Sequence, residues 1–373
     1  MDQNILLSLP IEQKIGQLFF IGIPDTQIDA TTRRLLEEIS PGGVCLFARN
    51  IQELEQTRQL TDDIRQKVPG EPFVSIDQEG GLVDRLRRIL TPMPPANSVK
   101  SIEDAERLAE NTALILRILG FNINFAPVVD IIDEKRSRYS NGLYSRAFGQ
   151  TAEDSFELTR GYLLKLQENG CLGCLKHFPG LGASVIDSHE ALPSVFVSES
   201  EFFDNDLFPY REFIKTGSVH AVMVAHAAFP QTDLQESDQN GRLLPTSLSF
   251  NFVTRLLRQQ LGYNGLVLTD DLEMGAILKN YGIGDACKLA ILAGEDMLLI
   301  CANSESVREG YASIRQAVSD GEITEERIDE SLNRIFATKK LLSESLPFDS
   351  SRLQSLSAEI AEIDKTVKIN HGG

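Results

Sequence analysis

Short apolar runs alternate with longer amphipathic stretches along nearly the whole chain. Eight runs stand out, at residues 18–23, 43–47, 73–76, 123–126, 172–175, 221–225, 265–269 and 296–300. Each is brief and almost continuously apolar, the pattern of a strand buried on both faces of a parallel sheet. Helical periodicity fills the gaps, over 31–39, 51–68, 102–119, 152–169, 202–216, 248–261, 287–293 and 306–318. In the third of these, Ala105, Leu108, Thr112, Leu116 and Leu119 fall on one face. A last helix is predicted to start at Thr324, an N-cap residue. Glu325 and Glu326 occupy its first turn, where carboxylates are favoured, and Ile328, Leu332 and Ile335 make one apolar stripe.

Eight strand–helix units predict an α/β fold, a closed (β/α)8 TIM barrel in a single domain over residues 1–345. Residues 346–373 read as a C-terminal tail of mixed character, frayed at 370–373. An open doubly wound sheet is the alternative. No G-x-G-x-x-G follows the first run, which speaks against dinucleotide binding, and there is no P-loop.

Charge narrows the function classes. The 373 residues carry 54 Asp+Glu against 36 Lys+Arg, a formal charge of −18. That balance predicts no nucleic-acid partner, since phosphate binding needs a basic face, and no basic membrane-surface role. The apolar stretch 15–23 is too short to span a bilayer and lacks the flanks of an export signal, so a cytoplasmic protein is expected. Five cysteines, odd in number and scattered, give no disulfide framework. Cys171 and Cys174 have a spacing that suits redox or metal chemistry. Their place in or beside an apolar run predicts a structural role instead.

A barrel places its active site at the C-terminal ends of its strands. Just past the third run come Asp77, Gln78 and Glu79, with Arg85 further on. Asp130 follows the fourth, ahead of a charged loop that reaches Arg146. Lys176 and His177 follow the fifth, and their loop continues to Asp187 and His189. His226 follows the sixth, and Asp270, Asp271 and Glu273 follow the seventh. Singly, each has a plain structural role. Asp271 and Glu273 suit helix caps, Gly80, Gly81, Gly180 and Gly182 suit tight turns, and Arg85, Arg87 and Arg88 suit a solvated face. His226 suits a supporting hydrogen-bond position. Together they form one acidic, basic and histidine-rich rim, which predicts a shared active site. No H-E-x-x-H or paired zinc-ligand spacing occurs, so no metal is expected. A carboxylate on a strand end can attack an acetal carbon, and a loop histidine can carry the proton. Asp187 and His189 are two apart, so a turn brings them into contact. The pattern alone does not single out sugar chemistry.

Longer motifs do. Lys176-His177-Phe178-Pro179-Gly180 is followed by Asp187-Ser188-His189-Glu190-Ala191-Leu192-Pro193. Ile76-Asp77-Gln78-Glu79-Gly80-Gly81, Asn124-Phe125-Ala126-Pro127-Val128-Val129-Asp130 and Thr269-Asp270-Asp271-Leu272-Glu273-Met274 accompany them. Over residues 10 to 343 the chain resembles the single-domain bacterial β-N-acetylhexosaminidases of glycoside hydrolase family 3. The resemblance implies a retaining exo-β-N-acetylglucosaminidase without cofactor, acting on small carbohydrate or muropeptide substrates. The implied substrate is terminal, non-reducing β-linked N-acetylglucosamine on 1,6-anhydro-N-acetylmuramic acid, with or without peptide, in cell-wall recycling. It implies Asp270 as nucleophile, His189 as acid then base, and Asp187 as its orienter. It assigns sugar binding to Asp77, Arg85, Arg146, Lys176 and His177, and it implies a monomer. Two positions depart from the family pattern. Leu181 replaces the histidine of a Gly-His-Gly loop, and Leu82 replaces an arginine after Gly80-Gly81. They keep a β-glucosidase of the same family open as an alternative, and a non-catalytic muropeptide-binding protein built on the fold is a second one.

Overall fold

The computed structural model describes residues 8–139 and 141–369. The expectation for 370–373 falls outside them. Helix α1 (Ile11–Gly16) leads into β1 (Phe19–Gly22), and α2 (Ala30–Ile39), β2 (Gly43–Leu46), α3 (Leu54–Lys67) and β3 (Phe73–Ile76) follow. A short antiparallel hairpin, β4 (Gln78–Gly80) and β5 (Val83–Asp84), precedes α4 (Ile102–Ile118). Then come β6 (Ile123–Asn124), α5 (Ala152–Glu168), β7 (Leu172–Phe178), α6 (Phe208–Thr216) and β8 (Ala221–Val224). A π-wound helix, Asn251–Gln260, leads to β9 (Leu266–Asp271), α7 (Ile283–Ala293) and β10 (Met297–Ile300). Helices α8 (Ser304–Ser319), α9 (Glu325–Lys339) and α10 (Ser350–Ile369) end the described chain.

The sheet closes. Its order is β1-β10-β9-β8-β7-β6-β3-β2, all parallel, with Phe19 opposite Leu298 where the first and last strands meet and Phe20 opposite Gly43 between β1 and β2. The eight expected runs are its eight strands, and the open-sheet alternative falls. Alternation along each strand sorts side chains into layers. Phe20, Phe73, Phe125, Leu268 and Met297 fill the barrel, with Phe20 lying 6.1 Å from the Phe73 ring and 5.3 Å from that of Phe125. Phe19, Ile21, Leu298 and Ile300 face the helices. Side-chain caps start the helices where expected. Ser101, Thr151 and Thr324 each accept a backbone N–H from the first turn of α4, α5 and α9.

Cys171 and Cys174 belong to different layers, the first under the helices and the second inside the barrel. All five cysteines are buried and free, and burial pushes the Cys171 thiol up to about 12. The structural role expected for this pair fits that placement. Among the described residues no helix is long and apolar enough to cross a membrane.

Most of the tail is a folded helix. Asp349 accepts the Arg352 N–H at 2.9 Å to start α10, and Leu353, Leu356, Ile360, Ile363 and Val367 are buried in the layer that includes α4. Ser357 Oγ accepts the Thr91 N–H and bonds the Thr91 hydroxyl, both at 2.8 Å. Ile360→Ala is therefore expected to cost about 2–5 kcal/mol, read as a lower urea midpoint. An unchanged midpoint would show that α10 adds nothing to the barrel.

Candidate active site

Every side chain singled out from the sequence as catalytic or sugar-binding lines one cavity at the C-terminal end of the barrel. Asp77, Arg85, Arg146, Lys176, His177, Asp187, His189 and Asp270 enclose a volume of about 130 Å³, with Phe47, Asn141, Leu143 and Leu181 among their neighbours. Parallel strands bring this about, because all eight end at the same rim.

The floor is a charged lattice. Lys176 Nζ sits 2.6 Å from both Asp77 Oδ1 and Glu79 Oε1. Arg146 grips Glu79 in a two-pronged pair, Nε to Oε2 at 2.7 Å and Nη2 to Oε1 at 3.0 Å. Arg85 Nη2 lies 3.5 Å from Asp77 Oδ2, and its buried Nε has no hydrogen-bond partner among the described residues. Burial alone would raise the Glu79 carboxyl, but Arg146 and Lys176 outweigh it and hold it well below the usual range. Burial would likewise lower Lys176, yet Asp77 and Glu79 keep it charged and raised.

Hairpin β4–β5 aims Arg85. The Gln78 side chain, buried, accepts the N–H groups of Arg85 and Leu86 and donates to Asp84 at 2.7 Å. Gly80 has φ +93°, and a Cβ there would lie 2.3 Å from Pro94 O, so only glycine makes this turn. Leu82, at the tip, is 69 % exposed and points away from the cavity that its neighbour Val83 lines.

Asp270 ends β9. Burial would raise its carboxyl, but Lys176 and the Asp271 N–H at 2.8 Å hold it below its ordinary value. It is therefore ionised at neutral pH. Its neighbour goes the other way, since burial, Glu273 and Asp270 push Asp271 up to about 7. Two adjacent carboxyls are thus driven apart, the arrangement that separates their chemical roles. Glu273 lies outside this chemistry. Its carboxylate accepts the Ala302 and Asn303 N–H groups that open α8. His226 is buried in the supporting position expected for it, with Nδ1 2.7 Å from Ser247 Oγ and Nε2 3.1 Å from the Asp271 carbonyl.

The loop after β7 carries the second chemical pair. His189 Nδ1 lies 2.8 Å from Asp187 Oδ1, which also accepts the His189 N–H at 2.9 Å. The His189 side chain is 68 % exposed, so its Nε2 is open to whatever enters. The segment 131–145 braces this loop. Asn141 Nδ2 donates to the carbonyls of Gly182 and Ser184, at 3.2 and 2.8 Å. Arg136 is buried against Asp206 at 2.6 Å and Glu201 at 2.8 Å.

Sequence alone left two participants without a role. Glu79 stands in the Asp77 motif, but its partners Arg146 and Lys176 are distant in the chain. Asp130 is buried and accepts His177 Nδ1 at 2.8 Å. The signal for Glu79 was a second acid two residues past Asp77. Nothing in the chain near Asp130 pointed to His177.

A family model described as the N-terminal domain of glycosyl hydrolase family 3 matches residues 10–338. The chain belongs to glycosyl hydrolase family 3. Within that family it is a glycoside hydrolase of the β-hexosaminidase type. A β-hexosaminidase of Psychromonas ingrahamii is 33 % identical over 296 residues, covering 77 % of this chain and 82 % of that one. A β-hexosaminidase of Pseudomonas aeruginosa is 32 % identical over 303 residues, covering 79 % and 86 %. Among solved structures, a family 3 β-N-acetylglucosaminidase from Paenibacillus sp. superposes with a TM-score of 0.85 at 34 % identity. It covers 96 % of this chain and 69 % of its own. The family 3 barrel thus accounts for the rim on which Asp270 and the Asp187–His189 pair sit.

Proposed function

We propose that this family 3 enzyme is a retaining exo-β-N-acetylglucosaminidase that acts on peptidoglycan fragments through a covalent glycosyl-enzyme. One observation carries the proposal. An ionised carboxylate on a rigid strand end shares one cavity of about 130 Å³ with an exposed Asp–His pair on a loop. Asp270 attacks the anomeric carbon as the glycosidic bond breaks. His189, protonated, gives the Nε2 proton to the leaving oxygen, while Asp187 takes the Nδ1–H bond and fixes the ring. In the second half His189 Nε2 takes a proton from water, which attacks the same carbon and frees Asp270. The common retaining pair is two carboxylates; here a histidine takes the place of one. A loop position lets that group serve two different oxygens.

Asp77, Lys176, His177, Arg85 and Arg146 are the groups proposed to hold the sugar. Lys176 and the arginines donate, and Asp77 accepts. The substrate class follows the β-N-acetylglucosaminidase of Paenibacillus and the motif resemblance. The deciding experiment gives purified protein matched chromogenic β-N-acetylglucosaminide and β-glucoside, then muropeptide. Faster turnover of the N-acetylglucosaminide and release of N-acetylglucosamine from muropeptide are expected. A preference for the glucoside overturns the sugar assignment. Muropeptide binding without turnover of any of the three overturns the catalytic one.

A further inference from the structure

The carboxylate of Asp130 is fully buried and accepts three N–H groups. Oδ2 takes His177 Nδ1 at 2.8 Å and the His177 backbone N–H at 3.3 Å, and Oδ1 takes the Leu181 N–H at 2.5 Å. His177 lies on β7 in the sugar-binding lattice. Leu181 opens the loop that carries Asp187 and His189. Between them Gly180, at φ +130°, turns the chain hard against Asp206, and a Cβ there would lie 2.8 Å from the Asp206 Cβ. One buried acid thus holds both ends of the turn that separates the sugar floor from the loop.

The other side of the imidazole determines its protonation. Arg146 Nη2 lies 3.3 Å from His177 Nε2. A guanidinium has no acceptor, so Nε2 must present its lone pair to it. His177 is then neutral, with its proton on Nδ1 and donated to Asp130. We propose that Asp130 is a positioning residue that fixes His177 in the Nδ1–H tautomer and, through Leu181, sets the root of the catalytic loop. It couples recognition of the sugar to placement of the proton donor without touching either substrate or His189.

The coupling has a sharp chemical consequence, because asparagine cannot replace this acid in either orientation. With the amide NH₂ toward His177 it meets two donors, so the ring must move its proton to Nε2 and confront Arg146. With the NH₂ toward Leu181 it meets the backbone N–H and breaks the loop root. An aspartate-to-asparagine change behind a catalytic histidine is known to trap the wrong tautomer in this way.

The proposal rests on the glycosidase assignment above only for its kinetic half. The tautomer half is read without turnover, by nitrogen-15 NMR of the histidine rings in the full chain. The sequence has five histidines, and the His177 signal is identified by its loss in His177→Gln. Wild-type His177 is expected to show a protonated Nδ1 and an unprotonated Nε2 at neutral pH. In Asp130→Asn, kcat/KM is expected to fall roughly 10²-fold on glycosides whose leaving group needs a proton, and less than about tenfold on dinitrophenyl glycosides. The ring of this variant is expected to gain the Nε2–H form.

An Nε2–H ring or an imidazolium in the wild type overturns the proposal, even if Asp130→Asn fails to fold. So does a variant whose tautomer is unchanged. An equal loss on both kinds of glycoside overturns the link to the loop. The expected wild-type tautomer in a protein that turns over no glycoside leaves Asp130 as the anchor of His177 and overturns the glycosidase assignment instead.

Discussion

Asp270→Ala is expected to abolish turnover, lowering kcat by on the order of 10⁵-fold or more, as removal of a nucleophile does elsewhere. The cause is specific to its place. Asp270 is buried, yet Lys176 and the Asp271 N–H keep its carboxyl below its ordinary value, so it is a ready nucleophile at neutral pH. Asp271 cannot substitute for it. Burial, Glu273 and Asp270 hold that carboxyl near 7, and its Oδ1 accepts the Glu273 N–H at 3.0 Å. A 2-fluoro or 5-fluoro sugar that traps the intermediate is expected to label the peptide containing Thr269-Asp270-Asp271, at Asp270. A label on any other residue removes the assignment, whatever the variant's activity. The alanine variant leaves His177, His226 and Lys176 facing a lost charge, so its melting temperature should be compared with that of the wild type before kcat is interpreted.

His189→Ala has the second largest expected effect, and its signature is dependence on the leaving group. A positioned proton donor is worth about 10²–10⁴-fold, so turnover of natural β-glycosides should fall by that much. A dinitrophenolate leaves without a proton. With that substrate the first half-reaction should survive, and the glycosyl-enzyme should accumulate because no base activates water. Burst kinetics and intact-protein mass spectrometry check this directly. The same fractional loss on every leaving group would show that His189 does not handle the proton. Stability should move by no more than about 0.5 kcal/mol, because the ring is largely exposed and bonded only to its own loop.

The barrel was legible because its strands are buried on both faces. Val44, Val74 and Val222 have nowhere polar to point, so each strand reads as an apolar run with a turn at either end. Thr324 was legible as a cap because capping is local. The hairpin β4–β5 was not, since the seven residues 78–84, with Gly80 and Gly81 at the turn, are too few to carry a period. Helix α10 is a different case. Its stripe of Leu353, Leu356, Ile360, Ile363 and Val367 runs at intervals of three and four, and Asp349 caps it. The signal was present, but polar residues surround it and the face of α4 that receives it lies far back in the chain.

The site divides in the same manner. Asp187 and His189 meet through a turn of two residues, which sequence alone can foresee. Glu79 with Arg146, and Asp130 with His177, meet only because neighbouring strands end at one rim. Their pairing depends on the register of β3, β6 and β7. Leu181 and Leu82, two departures from the family pattern, turn out unlike each other. Leu181 lines the cavity and anchors the loop root through its backbone, while Leu82 sits on a solvated hairpin tip.

The seam between β1 and β10 sets an order of events during synthesis. Phe19 cannot pair with Leu298 until nearly three hundred residues have been made, and Thr91 waits for Ser357, 266 residues further on. Until then one edge of β1 and the side of α4 that receives α10 lack their native partners. Contacts of such separation fold slowly and leave sticky surface exposed in the meantime. A partly made chain of this protein therefore exposes apolar surface until β10 closes the barrel and α10 covers α4.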